Sequence, residues 1–213
     1  KSSPTLHEHF KAPAKTRWTI IRIFDAPEGR IKRFDFFDAY LHLISSRSEP
    51  TDYRANTRPW FVQAQESDRP IRTDPYLYSN LQKKGITYSK RIDGTDSVLA
   101  IDFTLTELNS ALKKLAVHES SEVVMFGKNG DVIASSKPQE KGYEMDTFLK
   151  QALEEGKTDQ ILRYEQNGIE KFAMVSTLSK EMDLDTYVGV KIDADVMLDP
   201  YMEQIHYSIA MAV

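Results

Sequence analysis

The chain has 213 residues, of which 28% are charged and 10% aromatic, and a formal net charge of −4. That length accommodates one large domain or two small ones, each with its own core, and the composition excludes a disordered chain. The mild negative charge and the lack of any Lys/Arg run give no footprint for nucleic acid, and the absence of cysteine excludes disulfides, thiolate zinc sites and cysteine nucleophiles together.

Residues 1–16 are polar and punctuated by proline, and read as a leader or the remnant of a stalk helix. The alternation His7-Glu8-His9 within it reads as part of that leader rather than as a metal site. Residues 18–24 form a β-rich run, the turn chemistry of Ala26-Pro27-Glu28-Gly29 follows, and residues 31–37 roughly alternate apolar with polar; together they predict a hairpin. Pro59 is placed to open a short helix ending near Gln65. Residues 86–91 and 97–103 predict two further strands joined at Asp93-Gly94.

Thr104 and Glu107 match a capping box, and Leu105, Leu108, Leu112 and Leu115 follow at helical spacing. The strand-turn pattern then restarts. Residues 123–126 and 132–135 flank Asn129-Gly130, and a helix over residues 147–154 stops at Gly156. Residues 161–164 and 172–178 flank Asn167-Gly168, and a last strand covers residues 187–192. Asp199 and Pro200 have the chemistry of an N-cap and a first helical residue. Two antiparallel sheet units with helices on their faces make an α+β chain. The apolar end, Ile209 to Val213, fits either the approach to a membrane-spanning helix, the favoured reading, or a plain closing core helix, and no apolar run here is long enough to cross a bilayer.

The residues with chemical potential cluster in the first half. Arg58 can grip a carboxylate through two parallel hydrogen bonds, which lysine cannot reproduce. A lone arginine reads as a surface ion pair, but Trp60 two positions on and Tyr53 five positions before favour a ligand contact. Trp60 supplies a rigid apolar wall and an indole donor, and it serves equally as core. Asp102, between Ile101 and Phe103, points away from their face of the strand. Buried there it requires a cation, either a ligand ammonium or a lysine or arginine of the protein. Tyr76, in the Asp74-Pro75-Tyr76 turn, suits the same ammonium or a loop anchor.

This arginine-x-tryptophan-aromatic segment, with its later tyrosine and aspartate, resembles the double Cache family of bacterial extracytoplasmic sensor domains over nearly the whole chain. In the amino-acid-sensing branch a tyrosine is followed five positions on by arginine, then by tryptophan and tyrosine, a later tyrosine and an aspartate. Tyr53, Arg58, Trp60, Tyr76 and Asp102 match it. Phe61 stands where that branch has its second tyrosine, so one hydroxyl is missing. Tyr78 is near enough in sequence to join the site and matches no motif position. The family's long N-terminal helix has too few residues before Trp18 to be complete.

The resemblance implies an α+β fold of two tandem PAS-like (Cache) modules, each an antiparallel sheet flanked by helices. Residues 17–105 would form the membrane-distal, ligand-binding module and residues 106–198 the membrane-proximal one. The proximal half has no arginine-x-tryptophan motif and is expected to transmit rather than bind. Residues 199–213 would be an exit helix toward a transmembrane segment. The implied function is a periplasmic sensor domain of an inner-membrane receptor. Its ligand would be a small solute bearing amine and carboxylate, such as an amino acid. The implied partner is a cytoplasmic output module in the same full-length protein, and a homodimer is compatible with the layout. No cofactor, metal or enzymatic activity is implied. Ser45-Ser46 and Ser135-Ser136 have no histidine placed by a hydrolase motif, and Gly85, Gly94, Gly127 and Gly130 form no phosphate loop. The competing reading is a structural or protein-binding double module whose distal pocket is filled by its own side chains.

Overall fold

A computed structural model describes residues 4–137, 147–178 and 185–199. Two compact units emerge, Lys1–Arg58 and Pro59–Val213. The first contains a short helix α1 (Pro4–His9) and three strands, β1 (Trp18–Ala26), β2 (Gly29–Phe37) and β3 (Leu43–Pro50), in the antiparallel order β1-β2-β3. The predicted hairpin forms with Ala26 opposite Gly29, whose φ of +123° is open only to glycine. Strand β3 has no sequence signature: Leu-Ile-Ser-Ser-Arg-Ser-Glu-Pro does not alternate, and its terminal proline is tolerated because β3 is an edge.

Central strand β2 is buried on both faces. Phe34 and Phe36 fill one side, with the Arg47 guanidinium 3.8 Å from the Phe34 ring centre. Asp35 turns to the other, where Arg22 Nη2 (2.7 Å), Arg33 Nε (2.9 Å) and Ser46 Oγ (2.6 Å) all donate to its carboxylate. Those bonds, the Ser46 hydroxyl foremost, hold the Asp35 carboxyl well below the usual carboxylate range.

In the second unit, α2 (Pro59–Gln65) starts and stops where the sequence predicts. A four-stranded sheet follows, built on β6 (Lys84–Arg91). Strand β7 (Val98–Thr104) pairs along one side of it, and the two-residue strands β4 (Ile71–Arg72) and β5 (Tyr76–Leu77) pair along the other. These two are too short to leave any periodicity in the sequence.

Helix α3 (Leu105–Leu115) carries the complete capping box: Glu107 N–H donates to Thr104 Oγ1 at 3.2 Å, and Thr104 N–H donates back to the Glu107 carboxylate at 3.2 Å. Its Leu105, Leu108 and Leu112 stripe enters a core shared by Ile86 of β6 and by Val123, Met125 and Ile133 of the next sheet. That sheet has five strands in the order β10-β11-β12-β8-β9. They are β8 (Glu122–Gly127), β9 (Val132–Ser135), β10 (Leu162–Gln166), β11 (Ile169–Thr177) and β12 (Thr186–Asp193). Helix α4 (Thr147–Glu154) covers its other face through Leu149 and Ala152, against Val124, Phe126 and Val175. Strand β8 is buried along its whole length, which explains why Val-Val-Met-Phe runs without alternation.

The closing helix differs from expectation at its start. Residues 194–199 are already helical, so Asp199 lies inside the helix rather than at its N-cap. Ala194, Met197 and Leu198 are good helix formers that carry the chain straight out of β12. The remainder of the expected exit helix lies outside the described residues. Among the described residues, no helix is long and apolar enough to cross a membrane.

The Asp35 network makes acid stability a test of the first unit. Because the folded pKa is depressed, the stabilisation is complete above the unfolded carboxyl value, near about 3.9, and is lost as pH falls through the folded value. Thermal melts across acidic pH are expected to show wild type losing stability more steeply below about pH 4 than Asp35→Asn. Parallel curves would contradict the assignment.

Candidate functional site

The first unit ends in Tyr53 and Arg58. A 3-10 turn, Ala55–Thr57, separates them, and Arg58 closes it by donating its N–H to the Ala55 carbonyl at 3.0 Å. Arg58 is extended, with φ −88° and ψ 146°, as a residue before proline is required to be. Its guanidinium carbon lies 5.9 Å from the Tyr53 ring centre, and Arg30 Nη1 donates to the Tyr53 carbonyl at 3.3 Å.

Trp60, Phe61, Tyr76, Tyr78 and Asp102 belong to the second unit. Trp60 and Phe61 sit in the first turn of α2, their rings edge-to-face at 5.6 Å. Helix α2 packs across β6 and reaches β4 and β7. It is fastened there by Ser89, whose hydroxyl donates to the Trp60 carbonyl at 2.8 Å. The period of two in β6 dictates what faces this helix. Ile86 and Tyr88 turn toward the α3 core, whereas Thr87 and Ser89, both buried, turn the other way.

Thr87 is the organising residue of that face. It lies directly opposite Asp102 on β7. Its backbone is occupied on the β4 side, since Thr87 N–H donates to Thr73 Oγ1 at 3.0 Å and its carbonyl accepts from Thr73 N–H at 3.0 Å. Toward β7 it is therefore a non-hydrogen-bonded pair, the geometry that brings cross-strand side chains closest. The Thr87 hydroxyl donates to Asp102 Oδ1 at 2.6 Å and lies 2.7 Å from the Tyr76 hydroxyl. A threonine hydroxyl has one proton, and here the carboxylate takes it. Tyr76 must therefore donate to Thr87, giving a directed chain from Tyr76 through Thr87 to Asp102.

Asp102 departs from expectation in its surroundings. Its side chain is exposed, on a strand that pairs only with β6 among the described residues. Thr87 satisfies one oxygen, and no lysine or arginine among the described residues pairs with the carboxylate. Exposed to water, this carboxylate does not need the cationic partner that burial would require.

Tyr78 differs more. It is 5% exposed, and its hydroxyl donates to the carbonyls of Ile86 and, at 3.2 Å, Phe103. Its ring packs against Gly85, where any Cβ would collide with that ring and with the Phe103 carbonyl. Burial above all raises its pKa, and the charge of Asp102 and the neighbouring Tyr76 act in the same direction. Tyr78 thus builds the wall under Tyr76, the two rings meeting edge-on at 5.0 Å, and does not offer its hydroxyl to a solute.

Thr87, Thr73 and Ser89 are absent from the sequence-derived site. Counting back from the Asp93-Gly94 turn, with Arg91 opposite Val98, already sets Thr87 against Asp102.

No protein-family model matches the chain, and no curated protein is similar to it. Among solved structures, the sensory domain of the Campylobacter jejuni chemoreceptor Tlp3 (CcmL) is similar with a TM-score of 0.51 at 16% identity, covering 90% of this chain and 72% of that one. The chain has the fold of a chemoreceptor sensory domain. This α+β architecture, antiparallel sheets with helices on their faces, is the fold class that the sequence resemblance implies. The Mlp24 ligand-binding domain with asparagine gives a TM-score of 0.47 at 21% identity, over 71% of this chain and 63% of that one. The Tlp3 ligand-binding domain in complex with L-norvaline gives 0.49 at 17% identity, over 84% and 66%. The chain therefore spans a little under two thirds of the length of these last two.

Because the Tyr78 hydroxyl serves two carbonyls, Tyr78→Phe is expected to lower stability by about 1–3 kcal/mol. Urea denaturation measures this. A variant as stable as wild type would show that the hydroxyl is not committed to the wall.

Proposed function

We propose that this chain is the ligand-binding part of a sensor in a bacterial transmembrane receptor, and that its ligand carries a primary ammonium group and a carboxylate, as amino acids do. The observation that carries the reading is the directed chain Tyr76–Thr87–Asp102 on the α2 face of the sheet. Its protons all run inward to Asp102, so the group it presents outward is a charged acceptor. An ammonium, with three donors and no acceptor, is the matching partner.

Trp60 and Phe61 lie on the helix over the same sheet face and supply apolar cover and a ring for a cation. Phe61 lacks a hydroxyl, which leaves room for an apolar ligand side chain. Arg58 enters through the motif, as the bidentate partner of the ligand carboxylate. Tyr53, ring-on to Arg58, is its support. In this reading residues 17–105 hold the ligand and residues 106–198 support and transmit, with the domain facing the periplasm and the output module on the cytoplasmic side. The chain performs no reaction of its own. Ligand binding shifts the receptor only insofar as two states differ in affinity for the ligand.

Arg58→Ala is expected to weaken binding by about 2–4 kcal/mol, or roughly thirtyfold to a thousandfold. Asp102→Asn should weaken amine-bearing ligands and leave plain carboxylates unaffected. A thermal-shift screen of amino acids, simple amines and simple carboxylates, followed by calorimetric titration of the variants, tests both. Stabilisation by carboxylates alone, with no response to any amine, would retire the amino-acid assignment.

A further inference from the structure

Arg72 closes strand β4, yet its side chain leaves the four-stranded sheet altogether. It is only 10% exposed and is directed at the five-stranded sheet. Nε donates to Thr186 Oγ1 at 3.2 Å, at the first residue of β12, and Nη2 lies 3.8 Å from Asp131 Oδ2, in the turn between β8 and β9. The landing place is cleared for it. Thr186 pairs with Gly127, and a Cβ on Gly127 would collide with the Asp131 carboxylate and approach Arg72 Nη2 to 3.0 Å. Tyr88, the cross-strand neighbour of Arg72, brings its buried hydroxyl to the same place, beside Thr186.

The third donor turns back. Arg72 Nη1 donates to the carbonyl of Thr73 at 3.1 Å. Thr73 is the residue whose N–H and hydroxyl clamp the backbone of Thr87, and Thr87 holds Asp102. From Asp102 to Thr186 the contacts run Asp102, Thr87, Thr73, Arg72, Thr186, each within 3.2 Å or one peptide bond. Strand β12 then continues directly into the helix at residues 194–199.

We propose that Arg72 is a positioning residue for the Asp102 site, and that its bridge to Thr186 and Asp131 couples the ligand-facing sheet to β12. A lysine could meet Asp131 but could not span Thr186 and the Thr73 carbonyl at once, because that needs the planar fork. The proposal rests on the functional reading only in taking Asp102 as a ligand contact. The coupling itself is a property of the unliganded chain, and so is its test.

Amide hydrogen exchange, measured by NMR on the full chain without ligand, reads the Thr87 N–H that donates to Thr73. Thr186→Val, which touches no residue of the ligand site, is expected to speed exchange at Thr87 by about twofold to tenfold while β10 amides keep their rates. Arg72→Met should do the same, and the double variant should add nothing beyond Arg72→Met alone, since both break one linkage. Asp131→Asn, on the exposed turn, gives a smaller rise at the same amide and serves if Thr186→Val does not fold. Unchanged exchange at Thr87, a uniform rise at all amides, or additive effects in the double variant would each overturn the coupling. A chain that binds no amine-bearing solute but passes this test would sink the functional reading and leave the coupling standing.

Discussion

Strand β6 works under two obligations at once, and the second unit is organised around them. Its even positions, Ile86 and Tyr88, must fill the core shared with α3 and the five-stranded sheet. Its odd positions, Thr87 and Ser89, are forced by the same alternation onto the opposite face, buried under α2. Polar side chains buried there need partners. Ser89 finds the Trp60 carbonyl and Thr87 finds Asp102, so the requirement to satisfy two hydroxyls both fastens the helix and aims the carboxylate.

The contrast between β6 and β7 then explains the chemistry available. With strands on both sides, β6 is closed to solvent over most of its length. With one neighbour among the described residues, β7 exposes Leu99, Ile101 and Phe103 on one face and Asp102 on the other. A carboxylate oriented from a buried strand but standing on an edge strand combines fixed direction with access to solute. Tyr78 and Gly85 keep that edge rigid, because one hydroxyl ties the carbonyls of both strands and the ring occupies the space a side chain at Gly85 would need.

The sequence was most legible where one residue type has one structural use. Thr104 with Glu107, Pro59 at the first turn of α2, and the Asn167-Gly168 turn with both residues at positive φ declared themselves. Strands β3, β4 and β5 did not, since an edge strand lacking alternation and strands of two residues carry no periodic signal. Within the site, Asp102 and Tyr76 were visible as chemistry. Thr87 was not, because a threonine inside a strand looks like β-propensity until register sets it against a carboxylate. Tyr78 shows the complementary limit: its sequence neighbourhood matches that of Tyr76, but the fold buries its phenol and leaves that of Tyr76 half-buried.

The central claim is that the carboxylate of Asp102, held by Thr87, receives the cationic end of a small solute. A crystal structure grown in an equimolar mixture of amino acids tests it most directly. The account predicts a solute nitrogen within hydrogen-bonding distance of Asp102 and of the Tyr76 oxygen, under Trp60. A solute lodged elsewhere in the chain, or one bound in the same place with its carboxylate turned toward Asp102, would contradict it.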